Sequence, residues 1–339
     1  MTSIPGPVLA APMAGGAGTP ALLAACGGGF LAAGYLTPAA LAARIASVRA
    51  AVRAAGGWFG VNLFAPPEGP VGDLAAYADE LAPEFAVYDL APAVPAGADD
   101  DHWAEKLDLL LTDPVPAVSF TFGIPSPSTV AALRRAGTLV LQTVTTPPEA
   151  AAAAAAGVDA LVVQAPAAGG HSATLTPSAP VPASPVPLPD LVAAVRAAVP
   201  LPVVAAGGIA TSADVAAALH AGATAAMVGT ALLRTDEAGT SAPHRTALES
   251  ASGWPAHGTV VTRAFTGRPA RALRNGFIDR HDATAPHGYP QVHHLTAPLR
   301  RAAAAAGDTD RVHLWAGTGH RHAATGPAAA VIATLTSAL

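Results

Sequence analysis

Residues 202–231, PVVAAGGIATSADVAAALHAGATAAMVGTA, decide the fold. An apolar run from Pro202 to Ala206 reaches the pair Gly207-Gly208. A stretch with apolar residues at helical spacing, Val215 and Leu219, follows, and a second apolar run ends at Gly229-Thr230. The pattern reads β-turn-α-β-turn, with a glycine-bearing turn at the carboxyl end of each strand. Glycine lets backbone approach a ligand, and a helix starting just beyond it points free N–H groups and the positive end of its dipole at an anion. One such turn alone serves equally well to reverse the chain; two on consecutive strands make a phosphate clamp. In an eightfold β/α barrel the phosphate site lies in the loops after strands seven and eight, so this unit predicts the end of such a barrel.

Six further strand candidates precede it: 7–12 (PVLAAP), 29–33 (GFLAA), 58–63 (WFGVNL), 117–122 (AVSFTF), 138–144 (TLVLQTV) and 159–164 (DALVVQ); with 202–206 and 224–228 they make eight. Helix-like segments lie between them, at Thr19 to Cys26, Pro38 to Ala55, Ser128 to Ala136, Pro147 to Ala156 and Leu188 to Val199, several opening with Thr, Ser or Pro. Apolar runs alternating with helices demand a parallel sheet covered by helices, and eight units closing on themselves give an α/β fold of the (β/α)8 TIM-barrel type. Ala65 to Asp113 is too long for one crossover and reads as an elaborated loop with helices. After Leu232 the pattern changes to charged and turn-forming residues, then a β-like TVVTRAF. The expected organisation is a barrel over 1–231, an inserted lid or substrate domain over 232–290 and a C-terminal segment, 291–339, returning to the barrel. Residues 172–187 are proline-rich, cannot continue a strand or helix, and are expected to form a mobile loop at the barrel mouth.

Composition excludes several classes. Half the residues are apolar and 12% charged, yet no stretch has the unbroken apolar length of a membrane span. The start lacks a basic segment before its apolar run, so it reads as the first strand, with cytoplasm the default location. A net charge of −5 without clustered Lys and Arg gives no nucleic-acid footprint. The single cysteine, Cys26, excludes an internal disulfide framework and a CxxC metal site, and its alanine-rich surroundings suit a buried thiol.

Read together, APMAGG (11–16), FLAAGYLTP (30–38), FGVN (59–62), VVQAPAAGGH (162–171), PVVAAGGI (202–209), MVGTALLRT (227–235), GRPARALRN (267–275), YPQVHHLTAPLR (289–300) and HLWAG (313–317) resemble the nitronate monooxygenases, class I branch, in family order over nearly the whole chain. The resemblance implies an FMN-dependent barrel with an extra domain that oxidises alkyl nitronates such as propionate 3-nitronate with O2, without added nicotinamide. It places flavin contacts on Met13, Asn62, Gln164, Gly169, Gly170, Gly207, Gly208, Met227, Val228, Gly229 and Thr230, a C-terminal flavin wall on Trp315, Ala316 and Gly317, and the catalytic histidine on His171. It implies no metal and leaves the oligomeric state open, a homodimer being one option. Met227 stands where the family commonly has Gln, Ala165-Pro166-Ala167 where it has a Gly-Ser-Glu type of sequence, and Thr318 where AGQG has Gln.

The residue chemistry agrees with those positions. Asn62 and Gln164 end two strands where a barrel places its chemistry, and their amides can donate and accept. His171 follows two glycines beyond the sixth strand, suited to hydrogen-bond anionic nitro oxygens or to take the α-proton of a neutral nitroalkane. No other histidine shows comparable placement in the sequence, although His293 and His294 stand within reach in the closing segment. His320 and His322, two apart, do not share a helix face, which makes a poor metal pair. Arg268, Arg271 and Arg274 make either an anion-binding face or a solvated helix face. Two rival readings remain at this stage: an FMN-dependent enoyl reductase using NAD(P)H, and a flavin-binding module without turnover.

Overall fold

The computed structural model describes residues 4–66, 69, 71–97, 99–179, 186–251 and 258–339. Strands β1 (Val8–Ala10), β2 (Gly28–Ala32), β3 (Trp58–Phe64), β4 (Ala117–Thr121), β5 (Leu139–Val144) and β6 (Ala160–Gln164) pair in parallel in chain order. The next strand, β7 (Gly170–His171), leaves the barrel, which resumes with β8 (Val203–Ala206) and β9 (Ala225–Val228). Pairing of β1 with β9, Val8 opposite Ala226 and Ala10 opposite Val228, closes the cylinder. The fold is therefore the (β/α)8 barrel expected from the eight apolar runs, with those runs as its staves. Part of the proline-rich stretch expected at the mouth, 180–185, lies outside the described residues.

Helices α1 (Pro20–Ala25), α2 (Pro38–Ala54), α3 (Leu74–Ala86), α4 (Trp103–Thr112), α5 (Pro127–Arg135), α6 (Pro147–Ala155), α7 (Leu188–Ala198) and α8 (Ser212–His220) follow the strands. Their starts are set by side chains: Thr19, Thr37, Ser126 and Thr146 each accept a backbone N–H of the first turn, and each is followed by a proline. A residue that satisfies an orphan amide and a ring that cannot donate in any case together define an N-terminus. The apolar faces of these helices pack on the outside of the sheet in one large core that includes Leu41, Ile45, Val118, Leu133, Val163 and Val215. A second apolar cluster fills the barrel interior with Leu9, Phe30, Leu141, Val162, Val204 and Met227.

A further set of elements sits over the carboxyl ends of the strands. It carries α9 (Ala242–Ser250), β10 (Thr259–Thr262), β11 (Ala270–Leu273) and α10 (Gly276–His281), and β10-β11-β7 form a small antiparallel sheet. Its core joins Phe265, Phe277 and Ile278 to Tyr77, Leu81 and Phe85 of α3 and to Val292, Leu295 and Leu299 of α11 (Gln291–Ala305). The lid thus draws on the excursion after β3 and on the closing segment as well as on the stretch after β9. The last helix, α12 (Ala328–Leu335), returns to the barrel, packing on α8 and α1.

The excursion is fastened by a buried ion pair. Lys106 of α4, 1% exposed, lies 2.8 Å from Asp101 Oδ2 and donates to Ala33 O at 3.0 Å, while Asp101 Oδ1 accepts from Tyr35 N at 2.9 Å. Burial pushes the Asp101 carboxyl up despite the neighbouring ammonium, so the pair has little reserve. Replacing one partner strands the other charge. Lys106→Met is expected to destabilise the protein by about 3 kcal/mol in urea unfolding, and the double change Lys106→Met with Asp101→Asn by clearly less. Equal losses in the two variants would show that the ion pair contributes nothing specific.

Candidate active site

A cavity of about 530 Å³ opens between the strand carboxyl ends and the lid. Five of the barrel strands bring to it a residue singled out in the sequence, while Tyr35 after β2 and Phe122 after β4 line it without having been singled out. Met13 follows β1, Asn62 lies in β3, Gln164 ends β6, Gly207 and Gly208 follow β8, and Gly229 and Thr230 follow β9; all line the cavity, as do Gly169, Gly170, His171, Met227, Trp315 and Gly317. Val228 and Ala316 are not brought to it. The side chain of Val228 points into the outer core and its carbonyl accepts from Ala11 N at 2.8 Å, because neighbours on a strand face opposite ways. Ala316 is fully buried in the lid and donates its N–H to Arg271 O at 3.2 Å.

The glycine turn after β8 has the backbone the sequence demanded. Gly207 and Gly208 have φ of +105° and +79°, and a Cβ on Gly207 would lie 2.7 Å from Ala165 O. Among the described residues, the amides of Gly208, Ile209, Gly229 and Thr230, all at the cavity wall, have no backbone or side-chain acceptor. The helix beyond contributes less than expected. Thr211 and Asp214 form a capping box at the start of α8, and Asp214 Oδ2 accepts from the amides of Ala210 and Thr211 at 3.0 and 2.8 Å. The donors left for an anion are therefore those of the loops.

His171 is held from three sides. It pairs with Ala270 across β7 and β11, its carbonyl accepts from Gln164 Nε2 at 3.2 Å, and its Nε2 lies 3.0 Å from Thr266 Oγ1. Gln164 Oε1 meanwhile accepts from Ala173 N at 2.8 Å, so this amide, expected to face a flavin, is mainly occupied in shaping the His171 loop. Asn62 is similarly engaged, its Nδ2 donating to Ser119 Oγ at 2.9 Å and Thr121 Oγ1 at 3.0 Å. The ring of His171 stands edge-on to Phe122 and Tyr289, with centroids 5.6 and 5.4 Å away, and tilted to Trp315 at 5.5 Å. Burial, then the charges of Arg268 and Arg300, push its imidazole down to about 3.

His171 is not the only imidazole at the site: His293, which the sequence placed within reach, lines the same cavity, as do His244 and His313, which the sequence did not single out. His293 stacks on Tyr35 with centroids 4.0 Å apart and planes 2° from parallel, and Tyr35 and Tyr289 join through their hydroxyls at 3.1 Å. Burial pushes His244 down to about 4 and His293 to about 2, and drives His313 well below its ordinary value, with Arg300 as the next cause for the last two. His294 instead turns to a neighbouring smaller pocket, where its Nε2 lies 2.6 Å from Asp99 Oδ2.

The three arginines of GRPARALRN do not share a face. Arg268 is 1% exposed, donates to Ser172 O and Thr174 O, and lies 3.9 Å over the Phe122 ring. Arg271 donates to Pro166 O at 2.8 Å and Arg274 pairs with Asp279 on the surface. The residue the sequence reading missed is Arg300. It is 6% exposed, lines the cavity, and donates to Thr296 Oγ1 at 3.0 Å and His293 O at 2.9 Å. Among the described residues neither Arg268 nor Arg300 forms a salt bridge, although the Glu149 carboxylate acts on Arg268, and burial pushes each down to about 10, leaving both charged at neutral pH. The seven-residue interval from His293 to Arg300, two helical turns, was the available signal.

The model of the family described as nitronate monooxygenase matches residues 1–338. A probable nitronate monooxygenase of Staphylococcus aureus (strain MSSA476) is 33% identical over 99% of this chain and 94% of its own. Among solved structures, a nitroalkane oxidase from Streptomyces ansochromogenes is 48% identical, covers 98% of this chain and 94% of its own, and superposes with a TM-score of 0.90. FabK from Thermotoga maritima is 25% identical over 98% of this chain and 91% of its own, with a TM-score of 0.72.

Four imidazoles kept neutral give a stability signature. Each binds its proton in the unfolded chain near the ordinary value of 6.5 but not in the folded protein. Their contribution is complete above 6.5 and is lost as pH falls below it. The Glu84 carboxylate, held near 2 by its hydrogen bonds to Arg280, His281 and Arg311 against an opposing burial cost, matters only below its ordinary 4.5. Between pH 6.5 and 4.5 the histidines dominate, at up to about 1.4 kcal/mol per pH unit each. The melting temperature measured calorimetrically is expected to drop by several degrees from pH 7 to pH 5; a flat profile would mean that these rings take up protons in the fold as readily as in the unfolded chain.

Proposed function

Because the chain belongs to the nitronate monooxygenase family, an oxidoreductase family, we propose that it oxidises alkyl nitronates, propionate 3-nitronate among them, with O2 and bound FMN to carbonyl compounds and nitrite. The observation that supports this most is the charge of the cavity. Its lining holds Arg300, Arg301 and four histidines and, among the described residues, no carboxylate. Such a wall favours an anionic substrate and the phosphate of a mononucleotide, and opposes cationic ligands.

The donor set fits FMN. The unpaired amides of Gly208, Ile209, Gly229 and Thr230 suit a phosphate, as loop amides at a helix start commonly do. Met13, Met227 and Trp315 offer apolar walls for a planar ring system, and the volume lies in the range of cofactor sites. When bound, the flavin would supply the electron-transfer chemistry that no side chain here can perform. The protein's own share is placement. Arg300 and Arg301 draw the nitronate in, the aromatic set of Phe122, Tyr289 and Trp315 excludes water, and His171 meets the nitro group.

The low ionisation of His171 favours a nitronate over its parent nitroalkane. A base whose conjugate acid ionises near 3 is a weak acceptor for a carbon-bound proton at neutral pH, since general bases work best when matched to the operating pH. A substrate that arrives already deprotonated needs no such step. Oxygen uptake by the FMN-reconstituted protein with propionate 3-nitronate tests the reading. His171→Ala is expected to lower kcat/KM by about 100-fold or more. In the unsubstituted protein kcat/KM should show no inflection from pH 6 to 8, because free His171 does not titrate there. No oxygen uptake, together with rapid flavin reduction by NADH, would assign the protein to the reductase reading; equal turnover by His171→Ala would remove that residue from the chemistry.

A further inference from the structure

We propose that Thr266 is a positioning residue: it holds His171 as the Nε2–H tautomer and so commits Nδ1, the ring nitrogen open to the cavity, to every proton exchanged with the substrate. The inference rests on the reading of His171 as the residue that meets the nitro group.

The assignment follows from counting protons. Thr266 is 1% exposed and its hydroxyl has two neighbours, His171 Nε2 at 3.0 Å and Arg268 O at 3.3 Å. A carbonyl oxygen can only accept, so the single hydroxyl proton belongs on the Arg268 side, where a buried acceptor would otherwise lack a donor. The Thr266 oxygen is then an acceptor toward His171, and Nε2 carries the hydrogen. Nδ1 is left with its lone pair. Among the described residues it has no protein partner, and the ring lines the cavity.

The threonine is itself well anchored. Its amide donates to Arg263 O at 3.1 Å, and the next residue, Gly267, donates to the same carbonyl at 2.8 Å, closing a turn that leads directly into β11. β11 in turn pairs with β7, so the element that fixes the His171 backbone also delivers the hydroxyl that fixes its tautomer. Rotating the ring to exchange its nitrogens is opposed by Phe122, Tyr289 and Trp315, whose centroids lie within 5.6 Å of it.

The consequence concerns which atom works. With a neutral nitroalkane, the Cα–H bond breaks, its electron pair moves into the nitro group to give the nitronate, and the proton forms a new N–H bond at Nδ1. With a preformed nitronate, the bound anion favours the imidazolium, a proton from solvent enters at Nδ1, and the new N–H donates to a nitro oxygen. In both cases Nε2–H stays on Thr266. The opposite tautomer would point a hydrogen at the incoming substrate in the resting protein and leave no lone pair there.

The test compares the full-length, FMN-loaded protein with Thr266→Val, which keeps the shape and removes the oxygen, and with Thr266→Ser, which keeps the oxygen. Two-bond 1H–15N correlations on 15N-histidine-labelled protein report the tautomer, the His171 signals being those missing from His171→Gln. The parent protein and Thr266→Ser should show a protonated Nε2 and an unprotonated Nδ1; Thr266→Val should shift toward the Nδ1–H form. With a neutral nitroalkane, kcat/KM should fall by about tenfold or more in Thr266→Val, with most of the loss recovered in Thr266→Ser. A protonated Nδ1 in the parent protein, or the same tautomer in Thr266→Val with undiminished kcat/KM, would overturn the proposal. If His171→Ala turns over normally while the tautomer follows Thr266, the fault lies with the role of His171 and not with Thr266. Should Thr266→Val not fold, Thr266→Ala takes its place.

Discussion

Two residues of backbone pairing tie the barrel to its lid. Gly170 and His171 leave the barrel after β6 and lie antiparallel to Arg271 and Ala270, so a barrel loop becomes the third strand of the lid sheet. Without that pairing His171 would sit on an ordinary barrel loop, free to swing. With it, the imidazole is fixed relative to both bodies, and its neighbours arrive from widely separated parts of the chain: Phe122 after β4, Thr266 and Tyr289 from the lid, Trp315 near the C-terminus. A site on rigid elements holds its geometry better than one on loops, and here a loop has been made into a strand. The carbonyl bond to Gln164 and the contacts of Arg268 and Glu149 to residues 172–175 hold the departing chain in the same place.

The second constraint is electrostatic. Among the described residues Arg268 and Arg300 are buried without salt bridges, which costs free energy that carbonyls, hydroxyls, an aromatic face and, for Arg268, the nearby Glu149 only partly offset. Burial, with Arg300 contributing next to it for His313 and Arg268 and Arg300 for His171, pushes these histidines toward neutrality, so the guanidinium of Arg300 stands among polar but uncharged rings. An incoming anion relieves the strain on it. That arrangement favours the anionic ligands proposed above, and it explains why a wall so rich in imidazole does not look like a metal site. The rings are dispersed around a guanidinium and, among the described residues, no group of His, Cys, Asp or Glu has the spacing of metal ligands.

The barrel was legible because its determinants are local. Apolar runs ending in glycine or proline, and helices opening with Thr-Pro or Ser-Pro, specify strand and helix residue by residue, and all eight staves fall on the expected runs. Positions in barrel loops were legible for the same reason, since a residue at a strand's carboxyl end must face the mouth. What escaped was set by distance in the chain. That Asn62 and Gln164 turn their amides to protein partners depends on Ser119, Thr121, His171 and Ala173, none of which a strand pattern places. Arg300 was not singled out because its spacing from His293 is only a weak local signal; its environment is made by Thr296, His293 and His313 once α11 packs against the lid. The three arginines of GRPARALRN failed as a unit for a simpler reason. A strand puts alternate residues on opposite faces, and the chain enters and leaves β11 by turns, so equal spacing in sequence gave no common face.

The lid also explains where the chain tolerates strain. Tyr35 and Phe122 have φ of +67° and +81°, a region that side chains with a Cβ seldom occupy, and both line the cavity just beyond barrel strands. Each is held by a partner that does not depend on its own backbone preference. Asp101 accepts the Tyr35 amide while His293 stacks on its ring, and the Arg268 guanidinium covers the ring of Phe122. Those partners belong to the excursion after β3 and to the lid, so the backbone at the barrel mouth reaches its working shape only when the additional elements are in place. The barrel therefore does not carry a finished site to which a cover is added; the cover supplies the contacts that make the strained mouth the stable one.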